Sequence, residues 1–396
     1  MSSRLAGPIW TIVAVAHDTG GAQAIAPVIS KLRRRTDLRV IVIAGGFAQK
    51  VFARFRPENS LAEWPESKID DFLDRTRADL LLSATSWKSA LEQGFRNRAR
   101  LRGIPSVVVI DFWSAYRQRW QHATYRFEDA PDQVCVMDRQ TAQAINQEGY
   151  PMTQIHVTGH PHLERCYQRE DRHPPASVAK REIAVLLLTI PLASLGVKED
   201  PAVQIQTICK AAGQLHAKMG QPVSLTIRQH PHENPQPDLM ARIREFMPPG
   251  VTVRLDDRTK PILGRLKKND LVLGYSTMGL FEARSLGKQA IAIKLGDHPR
   301  ELVQAMTAAG IPLVPLDSDH IADWLCHTRR EEPNHTANPH RGATAEIAGL
   351  CCDLVRKGYK RGSPQPKIQK SHAETLLGNV SHRDAGVAKT REERTG

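Results

Sequence analysis

The sequence predicts an α/β protein made of two parallel-sheet domains that face a common cleft. Three observations lead there. The chain has 396 residues, room for two domains of the usual ~100–200 residues each. Short apolar runs alternate with helical patterns along most of that length, as βαβ units require. The alternation stops at a polar, proline-containing segment, 169–179, and then starts afresh.

In chain order, residues 10–16 read as an apolar strand, and Gly20-Gly21 open a helix over 22–35. A strand at 39–44, a helix at 67–77 and a strand at 80–83 follow. The basic helix 88–102 is stopped by Gly103 and leads to strands at 106–111, 133–137 and 154–157. Its arginines, Arg96, Arg98, Arg100 and Arg102, spread round it and read as mostly solvated. After a linker over 165–182 come strand 183–190, helix 203–219, strands 223–228 and 252–255, helix 261–267 and strand 271–275. Helix 279–287, strand 290–294, helix 302–309, a short strand at 312–314 and helix 320–328 end the series. The domains are therefore 1–168 and 180–340, with a helix at 341–360 that returns to brace them. The composition of the basic tail, 361–396, predicts disorder.

Hydrophobic residues make up 41% and charged residues 24%, so each domain can bury a core. A wholly disordered chain, a collagen-like repeat and a disulfide-stapled miniprotein are excluded. The formal charge is +13, and the last 41 residues carry +6 of it, ten Lys or Arg against four Asp or Glu. Such a balance points to an acidic partner: nucleotide phosphates, nucleic acid or an anionic membrane face. The six cysteines include no CxxC pair, which argues for free thiols in a reducing compartment rather than a zinc or disulfide framework. The apolar run 9–16 lacks a cleavage pattern, and no stretch reaches the ~20 apolar residues that cross a bilayer. The expectation is a cytoplasmic protein, with peripheral contact at an anionic membrane open to its tail.

Open parallel sheets bind ligands at the carboxyl ends of their strands, so the residues that follow each strand are the candidates. After strand 271–275 the chain reads Gly274-Tyr-Ser276-Thr277-Met-Gly279 and enters a helix. Ser276, Thr277 and the first amides of that helix make a phosphate cradle, Gly274 and Gly279 allow close approach, and Glu282 is placed to accept from ribose hydroxyls. Ser276 reads equally well as a plain helix cap. After strand 223–228 come Arg228, His230, Pro231, His232 and Glu233. Pro231 extends the backbone at His230, whose imidazole can donate to a phosphate oxygen, and Arg228 offers a bidentate contact. His-Pro-His lacks metal-ligand spacing, and no metal is expected.

The first domain offers His17-Asp18-Thr-Gly20-Gly21 after its first strand. His17 or Asp18 could serve as a general base there, with Gly20 and Gly21 letting a ligand come close. Asp18 capping the helix is the plainer alternative. A second loop, 109–119, holds Asp111, Trp113, Tyr116, Arg117 and Arg119, a mixture suited to a sugar or polyol, or else one that packs over the sheet.

A strand-ending His230-Pro231 followed 46 residues on by Ser276-Thr277 resembles the C-terminal half of GT-B-fold glycosyltransferases. The match is to the groups with an HP motif and a downstream Ser/Thr motif: bacterial sialyltransferases, Kdo transferases and CDP-glycerol glycerophosphotransferases. The stretch 155–164, with His160 where Asn is usual, resembles the segment that closes the first domain in those enzymes and in UDP-GlcNAc 2-epimerases. Gly287-Lys288-Gln289-Ala290-Ile291 is similar to their GKP-x-I strand entry.

The resemblance implies two Rossmann-like domains, a donor nucleotide held in the second, and His230 with Ser276-Thr277 on its phosphates. It also implies an early acidic base, for which Asp18 is the positional candidate beside Asp111. The expected activity is transfer of a sugar or related group from a nucleotide-activated donor to a carbohydrate, glycolipid or small-molecule acceptor, in cell-surface polysaccharide or glycoconjugate synthesis. No cofactor beyond the donor is expected. A nucleotide-sugar epimerase or hydrolase is the alternative on the same fold. A non-catalytic polyanion-binding protein is a third, although no nucleic-acid motif is visible.

Overall fold

The computed structural model describes residues 8–60, 64–86, 89–116, 119, 131–170, 182–191, 201–231, 233, 238–330 and 337–357. The tail 361–396, Arg117 and His232 lie outside the described residues. Seven strands form the first sheet: β1 (Trp10–Ala16), β2 (Leu38–Gly45), β3 (Glu58–Ser60), β4 (Leu80–Ser83), β5 (Ser106–Val109), β6 (Gln133–Val136) and β7 (Ile155–Val157). Their order is β3-β2-β1-β4-β5-β6-β7 and every pairing is parallel, with Ile12 opposite Val40 on one side and Leu80 on the other. Burial on both faces explains the apolar runs: Ile12 through Ala16 are fully inaccessible.

The second sheet holds β8 (Ile183–Leu188), β9 (Val223–Arg228), β10 (Val251–Leu255), β11 (Leu271–Gly274), β12 (Gln289–Lys294) and β13 (Leu313–Pro315). Its order is β10-β9-β8-β11-β12-β13, again wholly parallel. In both sheets the order reverses between two central strands, β1 and β4 in the first and β8 and β11 in the second. Loops diverge at such a switch point and leave a crevice at the carboxyl edge.

Helices cover both faces. The first lobe has α1 (Thr19–Leu32), α2 (Ala48–Phe52), α3 (Glu66–Thr76), α4 (Leu91–Leu101), α5 (Arg139–Gln147) and α6 (Pro161–Glu170). The second has α7 (Pro201–Met219), α8 (Leu239–Arg244), α9 (Ile262–Lys268), α10 (Met278–Ser285), α11 (Arg300–Ala308) and α12 (Ser318–Arg330). The final helix, α13 (Ala343–Arg356), goes back to the first lobe and buries Ile347, Ala348, Cys351, Cys352 and Val355 in the core beneath α1.

The linker expected over 165–182 is corrected at its start. Residues 161–170 are helical, and Leu163 and Cys166 are buried. The helix is needed because Glu164 caps α13 from a distance. Its carboxylate accepts from the amides of Gly342 at 2.7 Å and Thr344 at 3.0 Å, and from the Thr344 hydroxyl at 2.5 Å. Glu164→Ala strips those N-terminal donors of their acceptor and is expected to cost about 2 kcal/mol, read as a lower midpoint in urea.

The two lobes share one apolar cluster. Val108, Ile110, Val134 and Val136 of the first sheet and Leu186, Leu188, Val272 and Ala292 of the second belong to it. At its centre Trp113 stacks on Phe281 of α10, with ring centroids 4.3 Å apart. The six cysteines are unpaired and all but Cys326 are buried. Among the described residues no helix is long and apolar enough to cross a membrane.

Candidate active site

At the end of β1 the chain turns out of the sheet at His17-Asp18 and enters α1. Three contacts fix His17, one through its backbone and two through its ring. Its amide donates to Glu92 Oε1 at 2.9 Å, its Nδ1 lies 2.9 Å from Asp18 Oδ1, and its ring lies against the loop after β2. That last contact requires glycine, since a Cβ at Gly46 (φ +38°) would come within 2.7 Å of the imidazole Nε2. The pair is reachable from solvent, with 28% of the His17 side chain and 21% of the Asp18 side chain exposed. Asp18 has the extended backbone of a helix cap but its carboxylate makes no capping bond to α1. It orients the imidazole instead.

Beneath the pair lies Glu92, on the first turn of α4 and fully buried. Burial pushes its carboxyl up to about 7, the Asp18 carboxylate adds to that push, and Arg96 and the His17 amide oppose it. Arg96, one of the four helix arginines read as mostly solvated, is buried and donates to Ser83 Oγ and to the carbonyls of Ala84 and Arg119. Glu92 was invisible to sequence reasoning because an acidic residue in the first turn of a helix is ordinary.

Asp111 follows β5 and belongs to a different constellation. Its Oδ1 pairs with Arg119 Nη1 at 2.5 Å, and Arg119 also donates to Thr85 Oγ1 at 2.7 Å and to the Ser114 carbonyl at 3.0 Å. The second oxygen of Asp111 fills the space over Gly20, where a Cβ would approach within 2.5 Å. Gly21 is likewise filled, by Ala84. These glycines let protein, not ligand, approach the start of α1.

The aromatic loop is corrected too. Trp113 and Tyr116 are buried in the shared core, the indole donates to Asp138 at 2.5 Å and the phenol to Thr141 at 3.5 Å. Burial also raises the Tyr116 hydroxyl above its ordinary range. Neither side chain, nor the buried Arg119, presents its donors to a sugar.

In the second lobe the sequence candidates spread along one carboxyl edge. His230 lies two residues past β9, Thr189 one past β8 and Ser276 two past β11, and β8 lies between the other two strands. At about 4.8 Å between strands, His230 and Ser276 stand roughly 10 Å apart by topology. They flank Thr189 rather than meeting across adjacent strands. The Thr189 hydroxyl donates to Glu233, which also accepts from the His230 amide at 2.8 Å. Burial raises the Glu233 carboxyl, against the pull of those two donors.

Ser276 Oγ lies 2.8 Å from His298 Nδ1, in the loop after β12. Burial lowers the His298 imidazole and Lys294 adds to it, so the ring is neutral near pH 7. Thr277 is the N-cap of α10 and accepts from the Gly279 amide at 3.4 Å. Gly274 and Gly279 pack on Leu188, so they serve the approach of α10 to β8. Arg228 is taken up by the loop after β10: it pairs with the Asp256 carboxylate and donates to the carbonyls of Arg258 and Lys260.

Glu282 is also committed. It is buried on α10 and its Oε1 lies 2.5 Å from His162 Nε2 of α6, an ion pair between the lobes. His160, two residues earlier, places Nε2 3.3 Å from the Asp111 carbonyl and accepts at Nδ1 from the His162 amide. Burial holds His160 well below the ordinary histidine range, with His162 and His340 adding to it. α6 and Trp113, which follow strand ends of the first sheet, meet α10, which follows β11 of the second.

No family model and no curated protein matches the sequence. Solved structures do. The chain is similar to the UDP-GlcNAc 2-epimerase from Neisseria meningitidis, solved with UDP-GlcNAc bound, at 16% identity and TM-score 0.64 over 87% of this chain and 100% of that one. The MnaA–UDP structure from S. aureus gives 14% and 0.64 over 90% and 99%. MurG from Acinetobacter baumannii gives 12% and 0.55 over 87% and 100%. At these identities the likeness speaks for architecture alone, and with the two switch-point sheets it establishes that this chain has the GT-B fold.

Proposed function

We propose that the protein transfers a glycosyl group from a nucleoside-diphosphate sugar to a hydroxyl acceptor, with His17 as the base. The observation that supports this reading is the His17–Asp18 pair, hydrogen-bonded at the switch point of the first sheet and partly open to solvent. Asp18 pairs with Nδ1, so we assign the acceptor proton to Nε2, which the Gly45–Gly46 loop now lies against and must uncover for the acceptor, and the carboxylate steadies the imidazolium that results. The acceptor oxygen bonds to the anomeric carbon as the bond from that carbon to the phosphate oxygen breaks. Charge on the departing diphosphate falls to the first amides of α10 and to His230. As proposed, the step calls for no metal or redox cofactor.

Structures of the same fold were solved with UDP-GlcNAc or UDP, which favours a uridine nucleotide. They also keep epimerisation as the second reading. Here the Asp111 carboxylate is engaged by Arg119 and packed over Gly20, an arrangement that suits one base better than several groups around a single sugar carbon.

A thermal-shift panel of UDP, CMP, CDP, GDP and dTDP tests the donor site. A nucleotide at 100 times its Kd stabilises the fold by about 2.7 kcal/mol, so UDP is expected to raise the melting temperature of wild type and much less that of His230→Ala or Ser276→Ala. A panel without any shift overturns the reading. Incubating a UDP-sugar without acceptor separates the two activities, because only an epimerase then yields a new sugar.

A further inference from the structure

Among the described residues, Glu92 is the one buried acid next to the candidate base that the proposed reaction does not use. Its placement is peculiar. One carboxylate oxygen anchors the His17 amide at 2.9 Å, and the other is buried with no hydrogen-bond partner among the described residues. The charged groups that face it are His17 and Asp18 from the end of β1 and Arg96 one turn further along α4. An ionised carboxylate with a bare oxygen in such a place is costly, whereas a neutral carboxyl is tolerated. The consequence for stability has a definite sign. With its pKa raised from about 4.5 to about 7, the folded state holds a proton the unfolded chain releases, so burial of Glu92 costs nothing below about pH 4.5. The cost grows from there to about pH 7 and stays at its full value above it. A residue that weakens the fold at neutral pH, beside the only solvent-reachable His–Asp pair at the first switch point among the described residues, is placed for its charge rather than its packing.

We propose that Glu92 is a positioning residue that sets the proton affinity of His17 from beneath: ionised, it strengthens the base, and protonated, it releases that hold. The coupling is reciprocal, since whatever the carboxylate adds to the imidazolium, the imidazolium adds to the carboxylate. The proposal rests on the reading of His17 as the base only for its catalytic consequence. The coupling itself is a property of the free protein.

The test is a pH titration of the histidine side-chain resonances in the full chain labelled with ¹⁵N-histidine, with the His17 signal assigned through His17→Gln. Wild-type His17 is expected to titrate in two steps, one of them near pH 7. In Glu92→Gln, whose amide oxygen still accepts the His17 amide, the curve becomes a single step with its midpoint lower by roughly one pH unit, as loss of a nearby carboxylate implies. Identical curves in the two proteins overturn the proposal. Should Glu92→Gln fail to fold, the wild-type curve decides alone, since one step for His17 also overturns it. A two-step curve in a protein that turns over no nucleotide sugar would sink the transferase reading and leave the coupling intact. Where activity is found, the limb of the kcat/KM profile near pH 7 should move in Glu92→Gln and return in Glu92→Asp, a readout that a purely structural role would leave in place.

Discussion

His17→Gln is expected to lower kcat by about 10²–10⁴-fold while leaving the KM for the donor nucleotide within a small factor. The magnitude is that of a general base, and the split between kcat and KM follows from the site: His17 lies on the first lobe and the α10 cradle on the second. Glutamine keeps a polar group of similar reach and keeps the amide that Glu92 holds, so the fold is spared and the loss is chemical. Asp18→Asn should fall between the variant and wild type, because the asparagine still orients Nδ1 but does not stabilise an imidazolium. Steady-state kinetics at saturating donor measure both. A His17→Gln enzyme that retains more than a tenth of wild-type kcat removes His17 from the chemistry and returns the role of base to Asp18 or Asp111.

The fold was legible because parallel sheets covered on both faces write themselves as apolar runs. Every strand expected in the sequence is present, within a few residues. Glu58–Ser60, a three-residue edge strand of Glu, Asn and Ser, was missed, since an edge with one neighbour asks little of its side chains. Sequence reading also passed over α2, α5, α6 and α8, which are short or carry polar faces.

The site was legible at the level of loops and not of side chains. Strand ends pointed to His17, Asp18, Asp111, His230 and Ser276, but sequence order does not say which polar groups satisfy one another. Arg228 found Asp256, Trp113 found Asp138 and Phe281, and Glu282 found His162, each across more than 20 residues. Glycine was ambiguous in the same way. A missing side chain at Gly20 reads as room for a ligand until Asp111 is seen to fill it. Tertiary partners, more than motifs, decided what each candidate was free to do.

Glu282→Ala is expected to destabilise the protein by about 3–5 kcal/mol, the usual cost of breaking a buried ion pair from one side. Both partners are nearly inaccessible, at 8% for the His162 side chain and 3% for that of Glu282, so the variant forces the imidazole in the seam between the lobes to give up its proton and its charged partner together. Burial alone lowers the His162 imidazole, but its contacts with Cys166 and with the Glu282 carboxylate outweigh that and raise it to about 10. A histidine raised in the folded state contributes stability that is complete below its ordinary pKa of about 6.5 and is lost as pH climbs to about 10. Wild type should therefore lose stability across that window in urea denaturation, and the paired replacement His162→Leu with Glu282→Met should not. The paired variant is also expected to recover most of what Glu282→Ala loses, because two apolar side chains leave no charge unmet. A single Glu282→Ala change costing less than 1 kcal/mol would show that water reaches the pair. The seam on which α6 and α10 meet would then be open rather than sealed.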